Sequence, residues 1–193
     1  MNVLLLGPQG SGKGTQAKRI QAEYGIPHIA TGEILRDAIA NETELGLRVK
    51  PIVESGQLVP DDLMIELIRE RLHEDDAQDG FILDGFPRTL PQAQALDEML
   101  ADIGRELSIV FGFQLEDRIG IERMRKRAEI EGRKDDTPEA IAKRLELYHR
   151  ETEPLIGHYR LQGNLVGIHA ERTVDEVFSE VQEALEQTAA RSA

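Results

Sequence analysis

The 193 residues suffice for one domain with small inserts, and a 40% apolar composition supplies a core and excludes global disorder. No apolar run nears the roughly 18 residues of a membrane span, Val3-Leu4-Leu5-Leu6 is too short for a signal peptide, and the absence of cysteine excludes disulfides and thiolate metal sites, which points to the cytoplasm. The net charge of −13 argues against nucleic-acid binding and makes any basic cluster more telling, the more so because the basic residues are 17 Arg and 6 Lys and Arg suits bidentate phosphate binding.

Short apolar runs alternate with longer amphipathic segments, the pattern of an α/β fold with a parallel sheet. The expected strands are Val3–Leu6, His28–Ala30, Phe81–Asp84, Ile109–Gln114 and Leu165–His169. A helix over Lys13–Tyr24 places Ala17, Ile20 and Tyr24 on one face and ends at Gly25. Helices over Thr31–Ala40 and Thr43–Ser55 each open on a threonine suited to capping. Asp61–His73 and Thr89–Ile103 carry apolar residues at helical spacing, and a further helix spans about Glu116 to Ala128. Thr137-Pro138-Glu139 opens a long helix that Pro154 should bend, and Thr173-Val174-Asp175-Glu176 forms a capping box for the last one. The two helices across Thr31–Ser55 and the polar stretch Glu129–Asp136 sit outside simple βαβ alternation and read as inserts.

Gly7-Pro8-Gln9-Gly10-Ser11-Gly12-Lys13-Gly14-Thr15 follows the first strand and opens the first helix. The spacing G-x-x-x-x-G-K is that of a phosphate-binding P-loop. Glycines let backbone N–H groups wrap a phosphate, the helix N-terminus adds partial positive charge, and Lys13 adds a full one. Gly14 stands where the general pattern has Ser or Thr, so either Ser11 or Thr15 can supply the hydroxyl to metal or phosphate. A glycine-rich strand–helix turn is the plainer reading, and the strand before and helix after weigh against it. Phe81-Ile82-Leu83-Asp84 is an apolar strand ending in an acid. Such an Asp organises Mg²⁺ in P-loop enzymes, although many strands simply end in a polar residue.

The residues beyond that strand extend the pattern. Phe81–Gln92, with Asp84-Gly85-Phe86-Pro87-Arg88-Thr89-Leu90-Pro91-Gln92, resembles the signature of the nucleoside monophosphate kinases, and its Thr-Leu-Pro-Gln ending resembles the adenylate kinases in particular. The phosphate loop, with Gly14 before Thr15, matches the same family. So do Thr31-Gly32-Glu33-Ile34-Leu35-Arg36, Ser55-Gly56-Gln57-Leu58-Val59-Pro60, and Gly132-Arg133-Lys134-Asp135-Asp136 with Arg144. The resemblance covers about Asn2 to Leu185.

It implies a three-layer P-loop NTPase fold with a five-stranded parallel sheet. The core would comprise 1–30, 60–125 and 137–193, with a helical monophosphate-binding segment at 30–59 and a lid at 126–136. So short a lid resembles the form without structural zinc. The implied activity is reversible phosphoryl transfer between ATP and AMP, giving two ADP, by a cytoplasmic monomer with Mg²⁺ carried by ATP and Asp84 in its outer shell. Nucleic acid and membrane are not expected partners.

The resemblance also implies residue roles. Gly10, Ser11, Gly12, Lys13, Gly14, Thr15, Arg123, Arg127 and Arg172 would bind ATP. Thr31, Gly32, Arg36, Gln57, Leu58, Val59, Gly85, Phe86, Pro87, Arg88 and Gln92 would bind AMP. Lys13, Arg88, Arg127, Arg133 and Arg144 would act on the transferring phosphoryl group, Arg133 and Arg144 also reaching AMP. Arg125 and Lys126 compete with Arg123, and Thr31 and Gln92 could instead serve as helix caps. Asp135 and Asp136 would pair with the lid arginines or merely turn the chain before Thr137. The five histidines show no metal-ligand spacing and read as structural or surface residues. A UMP/CMP kinase and a non-catalytic P-loop switch are the alternatives. Thr31 and Gln92 weigh against the first, and the arginine set against the second.

Overall fold

The computed structural model describes residues 1–133 and 135–192, so Lys134 of the last matching block and the final residue of the expected core lie outside it. The strands are β1 (Asn2–Leu6), β2 (His28–Ala30), β3 (Phe81–Asp84), β4 (Ile109–Gln114) and β5 (Leu165–His169). They form a five-stranded parallel sheet in the order β2-β3-β1-β4-β5. Alternating side chains feed two cores. Leu4, Leu6, Phe81, Leu83 and Val110 face one core, and Val3, Leu5, Ile82, Ile109 and Phe111 face the other.

The first core is closed by α2 (Thr31–Ala40), α3 (Glu44–Glu54), α4 (Asp61–Leu72), α5 (Leu90–Asp102) and α8 (Leu155–Gln162). The second is closed by α1 (Lys13–Tyr24) and α9 (Val174–Ser192). α6 (Asp117–Glu131) and α7 (Pro138–Leu147) flank the carboxyl edge of the sheet. After β1 the chain turns to one side for β2 and β3, and later to the other for β4 and β5. The carboxyl end of β1 is therefore the topological switch point, where open α/β sheets bind ligands.

Several local expectations need correction. Thr31 is the first residue of α2 rather than its cap, because Ala30 holds the extended cap position. Its hydroxyl donates to the Asp84 carbonyl at 3.4 Å. α6 continues to Glu131, past the expected end at Ala128, and Gly132 stops it in the left-handed conformation. Most of the expected lid is thus helical. The helix from Thr137 is not one bent rod. A π-helical segment, Tyr148–Thr152, interrupts it before Pro154 is reached, with the Glu153 N–H donating to the Tyr148 carbonyl at 2.8 Å. Among the described residues no helix is long and apolar enough to cross a membrane.

Candidate active site

The switch point opens into a cavity of about 640 Å³. Its floor is the loop between β1 and α1. Gly10 holds φ +83°, and a Cβ there would stand 2.6 Å from the Gly120 carbonyl, so the loop needs glycine to pass under α6. Lys13 Nζ donates to the carbonyls of Gly7 (2.7 Å) and Pro8 (2.8 Å). It also reaches Ser11 Oγ at 3.3 Å. Burial pushes this ammonium down to about 8, with Asp84 opposing and Arg88 and Arg127 assisting. Ser11 is buried and Thr15 is exposed.

The β1–β3 register sets Asp84 beside Leu5 at the mouth of the loop. Burial pushes its carboxyl upward, but His28, Lys13 and Arg88 outweigh that and hold it below the usual carboxylate range. Asp84 is therefore an anion at neutral pH. His28 Nε2 stands 3.4 Å from Asp84 Oδ2 without the geometry of a hydrogen bond. Asp84 Oδ2 would lie 3.6 Å from a Cβ on Gly14. This donor set, one carboxylate beside a phosphate loop with nearby hydroxyls, suits a hard cation whose remaining ligands are phosphate oxygens and water. Among the described residues no group of three or more His, Cys, Asp or Glu side chains could hold a metal by itself.

Arginines line the opposite walls. Arg88 follows β3, and its Nε donates to the Gly85 carbonyl at 2.7 Å. Gly85 has φ +89°, and a Cβ there would meet Thr31 Oγ1 at 2.5 Å. Burial lowers the Arg88 and Arg36 guanidinium pKa values. Arg144 and Arg36 add repulsion at Arg88, and Arg133 and Arg127 add it at Arg36. That mutual repulsion is the signature of cations gathered where an anion belongs.

Two carboxylates hold the cluster. Asp136, with a fully buried side chain, accepts from Arg127 at 2.6 Å and Arg144 at 2.5 Å. Asp135 accepts from Arg144 at 2.8 Å and stands 4.0 Å from Arg36. Burial raises the Asp135 carboxyl, and the Arg144 bond together with the charges of Arg144 and Arg36 brings it below the usual carboxylate range. Both aspartates pair with the arginines instead of merely turning the chain. Arg144 also reaches the Val53 carbonyl at 3.3 Å, joining α7 to α3. Arg133 is tied to Glu131 at 2.5 Å and Arg172 to Glu180.

Arg123 donates to the Ala170 carbonyl at 2.9 Å and the Gly10 carbonyl at 3.4 Å, which sets it beside the phosphate loop. Of its competitors, Arg125 is exposed and lines a shallow surface hollow on α6 instead.

The cavity brings together Gly10 to Thr15, Thr31, Gly32, Arg36, Gln57, Leu58, Val59, Asp84, Gly85, Pro87, Arg88, Gln92, Arg123, Arg127, Arg133, Arg144 and Arg172. Phe86 is not on its wall; the ring is 1% exposed and packs into the first core. Gln92 is more constrained than its spacing implies. Thr89 caps α5 by accepting from the Gln92 N–H at 3.4 Å, but the Gln92 side chain does not complete a capping box. Its Oε1 accepts from the Arg88 N–H at 2.7 Å, and its Nε2 donates to Asp61 Oδ1 at 2.7 Å.

Sequence reasoning missed Asp61, Tyr148 and Thr152. The last two line the cavity. Tyr148 reads as an ordinary inward residue of the long helix. Thr152 is a hydroxyl on a buried face two residues before a proline, a signal that was available.

The adenylate kinase family profile matches residues 5–164. An adenylate kinase of Thermus thermophilus is 48% identical over 183 residues, 95% of this chain and 96% of its own. One from a Cyanothece species is 46% identical over 185 residues, 96% of this chain and 95% of its own. One from Caulobacter vibrioides is 46% identical over 190 residues, 98% of this chain and all of its own.

Proposed function

The chain belongs to the adenylate kinase family and transfers a phosphoryl group reversibly between ATP and AMP, and we propose that the residues lining the cavity divide that work as follows. The supporting observation is a single cavity with a phosphate loop on one side and a guanidinium cluster on the other.

Gly10 to Thr15, with Lys13, hold the ATP phosphates, Arg127 reaches them, Arg123 lies against the adenine, and Arg172 completes the ATP side. Thr31, Gly32, Arg36, the segment Gln57-Leu58-Val59, Gly85, Pro87, Arg88 and Gln92 receive AMP, with the Phe86 backbone carrying the turn between them. Arg133 and Arg144 close on the phosphoryl group in flight. No side chain need remove a proton, because the acceptor phosphate is already an anionic nucleophile. The protein's task is alignment and charge neutralisation. Asp84, kept ionised, would hold Mg²⁺ brought with ATP through water, beside the hydroxyls of Ser11 and Thr15, and the ion would supply charge neutralisation at the phosphates.

Residues 30–59 and 126–136 are the proposed moving parts, since the first brings Arg36 and the second Arg127 and Arg133 to the cleft from outside the sheet. Asp135 and Asp136 serve as counter-ions that keep the mutually repelling arginines in place, and nucleotide phosphates would share or take over that role. The proposed setting is a cytoplasmic monomer working on ATP, AMP and ADP, a reading that fits a cavity already holding both the phosphate loop and the arginine cluster.

A coupled assay with ATP and each of AMP, CMP, UMP and GMP tests the reading. AMP is expected to be preferred by at least about tenfold, the discrimination a mismatched buried amide supplies. Equal rates with CMP or UMP would favour a pyrimidine monophosphate kinase.

A further inference from the structure

The π-helical segment Tyr148–Thr152 has a consequence for Arg88. A π turn accommodates one extra residue, so it shifts the helical phase by about 100° relative to an unbroken α-helix. Here it sets Thr152, 8% exposed, against the loop after β3. Thr152 Oγ1 donates to the Arg88 carbonyl at 2.8 Å, across 64 residues of sequence. The Arg88 N–H is held from the other side by Gln92 Oε1 at 2.7 Å, and its Nε by the Gly85 carbonyl at 2.7 Å. Both peptide groups that flank the Arg88 Cα are thereby pinned by side chains. The guanidinium emerges into the cavity from a backbone with little freedom to turn.

From this geometry we infer that Thr152 is a positioning residue for AMP. Its hydroxyl fixes the Arg88 backbone, and through it the direction from which the Arg88 guanidinium meets the acceptor phosphate. The inference rests on the reading of Arg88 as an AMP-phosphate ligand. It also gives the π segment a role. Arg144 lies in the last turn of α7, and Thr152, which reaches the Arg88 carbonyl, ends the π segment that follows directly, so the two arginines are set by one continuous piece of chain.

Thr152→Val removes the hydroxyl at nearly constant volume, and Thr152→Ser keeps it. The test is the KM for AMP and for ATP in wild type, both variants and Arg88→Lys, with a thermal melt of each. Loss of one bond that orients a charged ligand-binding group is expected to raise the KM for AMP about tenfold in Thr152→Val. The KM for ATP should stay within about twofold, and Thr152→Ser should restore the KM for AMP to within about twofold of wild type. A purely structural role would lower the melting temperature and leave the AMP-to-ATP split unmoved. That outcome overturns the inference, as does an equal rise in both KM values. If Thr152→Val does not fold, Thr152→Ala set against Thr152→Ser reads the same split. Arg88→Lys separates the two levels. If it raises the KM for AMP while Thr152→Val does not, the positioning role fails and the active-site reading stands. If it leaves the KM for AMP unchanged, both fail.

Discussion

Lys13 carries the densest set of contacts at the phosphate loop, and its burial has a measurable cost. Its ammonium is held at about 8 against an ordinary 10.5. Between those values the unfolded chain binds the extra proton and the folded chain does not, so this group adds stability as pH rises through the window. Activity should move the other way. kcat/KM for ATP is expected to fall as pH passes about 8, because the neutral amine no longer attracts phosphate, while the melting temperature shows no parallel loss from this residue. A flat profile from about pH 7 to about pH 9.5 would show that Lys13 stays charged when free. Lys13→Ala is expected to keep the fold and lose about 10²–10³ in kcat. A variant within about threefold of wild type would remove the lysine from the mechanism.

Gln92 makes the residue scale less simple than its spacing implied. Its amide already serves the Arg88 N–H and Asp61. Gln92→Leu should therefore cost about 1–3 kcal/mol of stability and also raise the KM for AMP. Stability loss with the KM for AMP unchanged would take Gln92 out of the site. The glycine-and-lysine loop and the Asp84 strand end stand out in the sequence by residue type and spacing, whereas the individual arginines came from the family resemblance, since a basic run on a helix is ordinarily a solvated face. Asp61 was not, since its role depends on α4 meeting the start of α5, a tertiary contact with no local pattern.

At the scale of elements, the five strands were legible because buried parallel strands are short continuous apolar runs with turn residues at their ends. The helix boundaries that failed share a physical cause. α6 runs on to Glu131 because Glu129, Ile130 and Glu131 are acceptable helix residues until Gly132 supplies a left-handed stop. The π segment was invisible because Tyr148-His149-Arg150-Glu151-Thr152 is as good an α-helix sequence as its neighbours, and tertiary contacts decide between the two windings. Asp136, at the end of the proposed lid, has a buried carboxylate that joins α6 to α7 through Arg127 and Arg144. Asp136→Asn should destabilise the protein by about 1–3 kcal/mol. That is less than a fully buried pair would lose, since asparagine keeps an acceptor and Arg127 is 28% exposed. Hydrogen exchange over residues 126–136 should quicken in the variant. Unchanged exchange would mean the ion pairs do not hold this segment.

At the scale of the whole molecule, the sheet places one phosphate-binding loop at its switch point, and the flanking helices carry the arginines to it from two directions. This arrangement fits two polyanions end to end, with closure to exclude water during transfer. The most direct test is calorimetric titration with two adenosines joined by five phosphates, a ligand long enough to fill both subsites. The account predicts one ligand per chain, with affinity weakened at least about tenfold by Lys13→Ala at one end and by Arg36→Ala at the other. Two ligands per chain, or an affinity indifferent to either substitution, would contradict a single cavity that joins the donor to the acceptor.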